Sequence, residues 1–325
     1  MKSIRTFVFL LIFASLLLSG CSLNSTEPIE KTGVYFDTVI TIKIYDSQDT
    51  SLLDQCFSYC DNFEKTVSRT IETSEIYKIN HANGESVEVS DMTLELLKKG
   101  IEYGELTNGK FDITVAPLSE LWDFKNNTGT LPSESDITKA LSHVNYKNIL
   151  IEGNDVTLTD PSAAIDLGGI AKGYMADILK DYLTKQGVKS ALINLGGNML
   201  AIGSKPDGSD FNIGIQKPFD EQGTAITAVK TNDSSVVSSG VYERYFKLED
   251  TIYHHILDTE TGYPYDNGLL SVTILSPESV DGDALSTSCF ALGLEDGMKL
   301  IQSLEGVEAL FITTDYEIHD TRTSY

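Results

Sequence analysis

Apolar and polar residues follow one another in short runs along this chain, with two alternating periods. Val34 to Tyr45 is β-rich and alternates in twos, which predicts a first strand. Leu52, Leu53, Cys56, Phe57, Cys60, Phe63 and Val67 recur three and four apart, which predicts a helix over 51–68. Asn83-Gly84 marks a turn, and Ser90 is placed to cap a helix carrying Leu94, Leu97 and Ile101 on one side. After Pro132, Ser133 to Asp136 reads as a capping box opening another short helix. Residues 149–152 and 156–159, joined through Gly153-Asn154-Asp155, predict a hairpin. Ala163 to Asp166 is strand-like, and a helix over 170–186 carries Ile170, Tyr174, Ile178 and Tyr182 four apart. Ala191 to Asn194 predicts a strand ending in Gly196-Gly197. Residues 210–275 read mainly as strands, helices follow near 282–292 and 294–304, and Val307 to Thr313 is a last strand. There is no regular βαβ rhythm. The expected class is α+β, with mixed, mostly antiparallel sheets and packed helices in one two-lobed unit.

The N-terminus breaks this pattern. Lys2 and Arg5 precede an uncharged, apolar run from Thr6 to Leu18, shorter than the roughly 20 residues of a spanning helix, so a signal peptide over 1–20 is expected. The run closes on Leu18-Ser19-Gly20-Cys21, which resembles a bacterial lipobox, with Cys21 as the lipidated residue. Residues 21–31 read as a polar tether, leaving 32–325 as the folded domain. The protein is expected outside the cytoplasmic membrane, held by lipid.

Charge narrows the partners. The 24 Lys+Arg stand against 48 Asp+Glu, a net −24, and removing Lys2 and Arg5 with the signal makes the balance more acidic still. Phosphate neutralisation needs clustered cations, so neither nucleic acid nor an anionic lipid surface is an expected partner. The composition, 41% hydrophobic and 9% aromatic, is that of a globular chain, not a solvated acidic tail. Cys56, Cys60 and Cys289 lack the CxxC spacing of a zinc site and read as core thiols. There is no P-loop, no GxGxxG after a strand, no GxSxG and no HExxH.

Four segments carry candidate chemistry. In Asp166-Leu167-Gly168-Gly169, leading into a helix with Lys172 in its first turn, paired glycines let backbone approach a ligand or turn a carbonyl toward it. The helix N-terminus and Lys172 favour an anion there. Asp283 and Thr287 present two oxygens on one helical face, a hard-donor pair suited to Mg²⁺; capping is the alternative role for such an Asp. His254 or His255 becomes a general-base candidate beside a metal-bound phosphoester, and is otherwise a core histidine. Trp122 and Phe124 are placed to stack on a planar ring or to fill the core.

Taken together, these segments resemble the ApbE family of FAD:protein FMN transferases. FDITVAPL (111–118) with LWDF (121–124), DLGGIAKGY (166–174), NLGGN (194–198), SGVYERY (239–245), HILD (255–258), TGYP (261–264) and ALST (284–287) occur in that family's order. The resemblance runs from Phe36 to about Gly293. It implies Mg²⁺-dependent transfer of FMN from FAD to a Thr or Ser hydroxyl of an extracytoplasmic target protein, releasing AMP. Asp283 and Thr287 would hold the metal with the backbone oxygen of Gly169, and His255 would be the base. Phe36, Thr70, Trp122, Asp123, Phe124, Asp166, Lys172 and Leu257 would contact FAD. Thr70 stands where some members carry Tyr, Ser286 where some carry a second acid, and Asn198 where Asp is commoner. Two other functions use nearly the same residues: an FAD pyrophosphatase, in which water replaces the protein hydroxyl, and a non-enzymatic flavin-binding lipoprotein.

Overall fold

The computed structural model describes residues 27–127 and 129–322, so Cys21 and the signal segment lie outside the described residues. Its centre is an eight-stranded, wholly antiparallel sheet. In spatial order the strands are β1 (Ile29–Tyr35), β2 (Thr38–Ile44), β6 (Ala191–Leu195), β7 (Asn198–Ile202), β10 (Ser235–Gly240), β13 (Leu269–Ser276), β14 (Glu308–Thr313) and β15 (Ile318–Asp320). Smaller sheets pair β3 (Val87–Glu88), β5 (Asp155–Leu158) and β4 (Ile149–Glu152), then β8 (Phe211–Gln216) with β9 (Ala225–Thr231), and β11 (Tyr245–Leu248) with β12 (Thr251–His254). The α+β class with antiparallel sheets is therefore what the pattern predicts.

Eight α-helices and one 3-10 turn (Tyr146–Asn148) accompany the strands among the described residues: α1 (Ser51–Val67), α2 (Glu75–Asn80), α3 (Asp91–Leu106), α4 (Ala116–Trp122), α5 (Glu134–Leu141), α6 (Ala171–Lys185), α7 (Ser279–Leu292) and α8 (Leu294–Gln302). Ser90 caps α3 by accepting from Thr93 N, and Ser133 caps α5 by accepting from Asp136 N. At α5 the reciprocal half of the box is replaced: the Ser133 hydroxyl donates to the Asp136 carboxylate, 2.6 Å.

Several boundaries differ from the sequence pattern, each for a local reason. The predicted first strand is a hairpin, because Phe36 and Asp37 both take left-handed conformations (φ 56° and 58°) that reverse the chain. Strand β1 also begins at Ile29, so it takes in the last residues assigned to the tether. Ala163 to Asp166 is not a strand; Ala164 makes only an isolated parallel bridge to Val115. On α6 the fully buried face is Met175, Ala176, Leu179 and Leu183, one step round from the tyrosine stripe, whose rings lie half-buried at its border.

Helix α7 organises the core. It is buried on nearly every side, packing on α6, α8, β10 and β13. Strand β13 is buried at all eight positions. Gly173 sets the α6–α7 approach: a Cβ there would lie 2.3 Å from the Ser279 carbonyl oxygen. A separate aromatic cluster of Leu118, Trp122, Ile137, Phe246 and Leu257 joins α4, α5 and the β11–β12 hairpin. Cys56, Cys60 and Cys289 are free and buried, with burial pushing each thiol up to about 12.

Candidate functional site

The loop after Ile165 carries the first half of the site. Asp166 Oδ1 accepts from Gly168 N at 2.9 Å, an Asx turn that folds the paired glycines back before α6. Its Oδ2 lies 3.4 Å from Arg69 Nε, and Arg69 also pairs with Glu120 at 2.7 Å. The Lys172 ammonium caps the Gly168 carbonyl at 3.3 Å and lies 3.7 Å from Asp283 Oδ1.

Helix α7 supplies the second half. Asp283 is buried, and its Oδ2 accepts from Gly173 N at 2.9 Å, which fixes the carboxylate and leaves Oδ1 directed at Lys172. One turn on, Thr287 is half-buried, with its hydroxyl 3.1 Å from the Ser239 hydroxyl of β10. Gly169 sits against it: a Cβ on Gly169 would lie 3.6 Å from Thr287 Oγ1. The Asp283 carboxylate and the Thr287 hydroxyl, one helical turn apart with Gly169 beside the hydroxyl, are hard oxygen donors. That set fits Mg²⁺, which keeps several ligand positions for water and phosphate, and does not fit zinc. Among the described residues no group of three or more His, Cys, Asp and Glu could hold a metal ion.

The two adjacent histidines separate cleanly. His254 is buried; its Nε2 faces the Tyr265 carbonyl at 2.9 Å and its Nδ1 faces Ile256 N at 3.3 Å. A carbonyl can only accept and an N–H can only donate, so both ring nitrogens are committed and the ring is structural. His255 instead donates Nδ1–H to the Arg244 carbonyl at 3.3 Å, which leaves Nε2 as the free basic nitrogen. His255 keeps part of its surface open, yet packing around the ring strips most of its hydration. That desolvation, then the nearby charges of Arg244, His254 and Lys172, push it down to about 3.

An open pocket of about 330 Å³ lies alongside, lined by Asp37, Phe124, Lys125, Glu243, Arg244 and Tyr245. Lys125 bridges to Asp37 at 2.8 Å and holds that carboxyl below its usual range. Phe36, next to Asp37 at the hairpin tip, packs edge-on against Phe63. Phe124 stacks on Trp122 at 5.5 Å with planes 7° apart. Trp122 itself has no exposed surface and donates Nε1–H to the Gly262 carbonyl, 2.8 Å. The indole and the buried Leu257 therefore lie behind the pocket wall, and Phe124 and Tyr245 are the aromatic residues that line it. Asp123 is exposed in a left-handed conformation, its carboxylate held by Asn126. Thr70 is exposed and bonded only to Ser68; its neighbour Arg69 is what reaches Asp166.

Two motif positions prove to be scaffold. Asp112 is buried and accepts from Thr114 N, Thr114 Oγ1 and Tyr146 N at 2.6–2.8 Å, stapling two loops together. Asn198 is buried against α7, where it accepts from the Ser279 hydroxyl at 2.8 Å. Arg69, Ser239 and Arg244 were not singled out by sequence reasoning. Their signals were present: Ser239 and Arg244 lie within SGVYERY, and Arg69 lies beside the assigned Thr70.

The ApbE family model matches residues 36–311. An FAD:protein FMN transferase of Klebsiella pneumoniae (strain 342) is 35% identical over 290 residues, covering 88% of this chain and 90% of that protein. A protein of the same name from Treponema pallidum (strain Nichols) is 30% identical over 301 residues, covering 86% and 83%. Among solved structures, the ApbE protein of Thermotoga maritima aligns with TM-score 0.82 at 33% identity, covering 90% of this chain and 97% of that one. The flavin transferase ApbE of Vibrio cholerae aligns with TM-score 0.80 at 28% identity, covering 90% and 96%.

Proposed function

The chain belongs to the ApbE family, and we propose that it is an FAD:protein FMN transferase that moves FMN onto a Thr or Ser hydroxyl of a target protein and releases AMP. The observation that carries this reading is Asp283: a buried carboxylate with one oxygen fixed by Gly173 N and the other turned toward Lys172, beside Thr287 and Gly169.

In this reading Asp283 Oδ1, Thr287 Oγ1 and the Gly169 carbonyl hold Mg²⁺. When bound, the ion supplies charge neutralisation at the FAD pyrophosphate and improves AMP as the leaving group. The acceptor oxygen bonds to the FMN-side phosphorus, the bond from that phosphorus to the bridging oxygen breaks, and AMP departs with that oxygen. His255 Nε2 takes the acceptor proton; its Nδ1–H, held by the Arg244 carbonyl, keeps the free nitrogen in place. Lys172 and Arg244 give the pocket positive charge within an acidic chain, which suits the phosphates. Phe124 offers a ring face for the flavin. Lipid anchoring at Cys21 outside the cytoplasmic membrane belongs to the same proposal and rests on the lipobox-like sequence alone.

The test mixes protein, FAD, Mg²⁺ and a target bearing an acceptor Thr, and follows the target by mass spectrometry. An FMN-sized addition with AMP release is expected, and chelation or Asp283→Ala should abolish it. AMP and free FMN with an unmodified target would replace this reading with a pyrophosphatase. FAD binding without either product would leave only a flavin-binding protein.

A further inference from the structure

Around Thr287 three hydroxyls and one carbonyl form a chain whose proton directions are forced. Ser286 Oγ lies 2.8 Å from the Asp283 carbonyl oxygen, which can only accept, so Ser286 spends its one proton there. Ser239 Oγ lies 2.7 Å from Ser286 Oγ, and since Ser286 has no second proton, Ser239 is the donor in that contact. Ser239 has then no proton left for Thr287, 3.1 Å away, so Thr287 donates to Ser239. The relay runs from Thr287 to Ser239 to Ser286 to the Asp283 carbonyl. It begins on a half-buried hydroxyl and ends on fully buried atoms of α7.

A Thr within a helix ordinarily bonds its hydroxyl back to the carbonyl four residues earlier. For Thr287 that carbonyl is Asp283's, and Ser286 already occupies it. The Thr287 proton is therefore drawn sideways to β10 and away from its own helix. Among the described residues no group donates to Thr287 Oγ1, so both lone pairs are left on the atom beside Gly169.

We propose that Ser239 is a positioning residue for the metal site: by accepting the Thr287 proton it leaves both Thr287 lone pairs available, so that the hydroxyl can serve as an oxygen ligand. This rests on the assignment of Asp283 and Thr287 as metal ligands. Ser239 touches neither metal nor substrate and acts only through Thr287. Ser286 acts one step further back, because Ser239 can still accept from Thr287 without it.

The test titrates Mn²⁺ and Mg²⁺ into the full chain by calorimetry, with and without saturating FAD, and checks each variant's fold by its Tm. Ser239→Ala removes the acceptor and should weaken metal binding by about two- to twelvefold, the range of one hydrogen bond. Ser286→Ala should weaken it less, and Ser239→Thr, which keeps the hydroxyl, should restore it. Combining Ser239→Ala with Thr287→Val should weaken binding no further than Thr287→Val alone, which a general loosening of the core would not reproduce. Wild-type affinity in Ser239→Ala, with Asp283→Ala abolishing binding, would overturn the relay and leave the metal site standing. The same loss from Ser239→Ala in both backgrounds would also overturn it. Absence of any metal binding by the wild-type chain would remove both.

Discussion

Replacing Gly173 by Ala should destabilise the protein by about 1.5–5 kcal/mol, even though Ala is the better helix former by about 1 kcal/mol. The added Cβ would meet the Ser279 carbonyl oxygen at 2.3 Å and the Ser279 carbonyl carbon and Val280 Cα at 2.7 Å. These are backbone atoms of the first turn of α7, so no side chain can swing aside to relieve the clash. Restoring an ordinary 3.4 Å contact requires α6 and α7 to part by about 1 Å, within a core that does not yield freely. Overpacking of this kind costs about 1–3 kcal/mol. The same movement stretches Gly173 N–Asp283 Oδ2 (2.9 Å) and the two 2.8 Å bonds from Ser279 N and Val280 N to Asp177. Losing even one such charge-assisted bond adds about 1.5–3 kcal/mol, so the clash outweighs the helical gain. Urea unfolding would read the loss as a lower midpoint at unchanged slope. Metal titration of the still-folded variant should show weakened binding, because Asp283 loses its anchor. A midpoint at or above wild type would refute the packing argument. A lowered midpoint with unaltered metal affinity would refute the claim that this contact holds the carboxylate in place.

Other consequences follow from the same geometry. His255 stays neutral down to about pH 3, so the acid limb of kcat/KM due to this ring should fall well below pH 6.5, and Arg244→Ala should move it upward; a limb at pH 6.5 in both proteins would contradict the assignment. Asp177 is raised from 3.8 to about 7 by burial, against its bonds from Ser279 N and Val280 N. The folded state then holds this proton more tightly than the unfolded chain does. The stability it contributes is complete below about pH 4 and lost as pH rises through 7. The unfolding midpoint of wild type relative to Asp177→Asn should therefore fall across that window, and a rise would reverse the sign. Trp122→Ala should cost about 3–5 kcal/mol as a buried aromatic truncation. Phe124→Ala should weaken FAD binding, read by flavin fluorescence, with a much smaller loss in Tm; equal Tm losses would show Phe124 to be core.

Much of the fold was legible because its strands and helices keep clean periods. The buried positions of α1 are the residues that recur three and four apart, and the caps of α3 and α5 carry the serines that mark them. The first hairpin was missed because its turn residues are Phe36 and Asp37. Nothing in their type announces a left-handed conformation, as Asn-Gly would. Trp122 shows a different limit. An aromatic two residues from another reads equally as stacker or core, and only the Gly262 carbonyl, distant in sequence, commits the indole to the interior. Arg69 reaches Asp166 across nearly a hundred residues, a partnership no local pattern encodes.

The carboxylates around the N-terminal half of α7 illustrate why spacing could nominate the site but not choose its atom. Asp281 is tied to Lys99 and to the Tyr103 hydroxyl on α3, at 3.2 and 2.8 Å. Asp177 spends both oxygens on the first N–H groups of α7. Asp283 gives Oδ2 to Gly173, so of these three groups Oδ1 of Asp283 is the one that faces Lys172, one helical turn before Thr287. Asp283 and Glu243 stand against Lys172 and Arg244, so the charges at this corner and the pocket beside it are close to balanced. A divalent cation alone would leave that corner strongly positive, and a pyrophosphate alone would leave it negative. The charges balance when both are present, so in the proposed reading two acids set against two bases favour the two ligands arriving as partners, each improving the other's binding by the same factor.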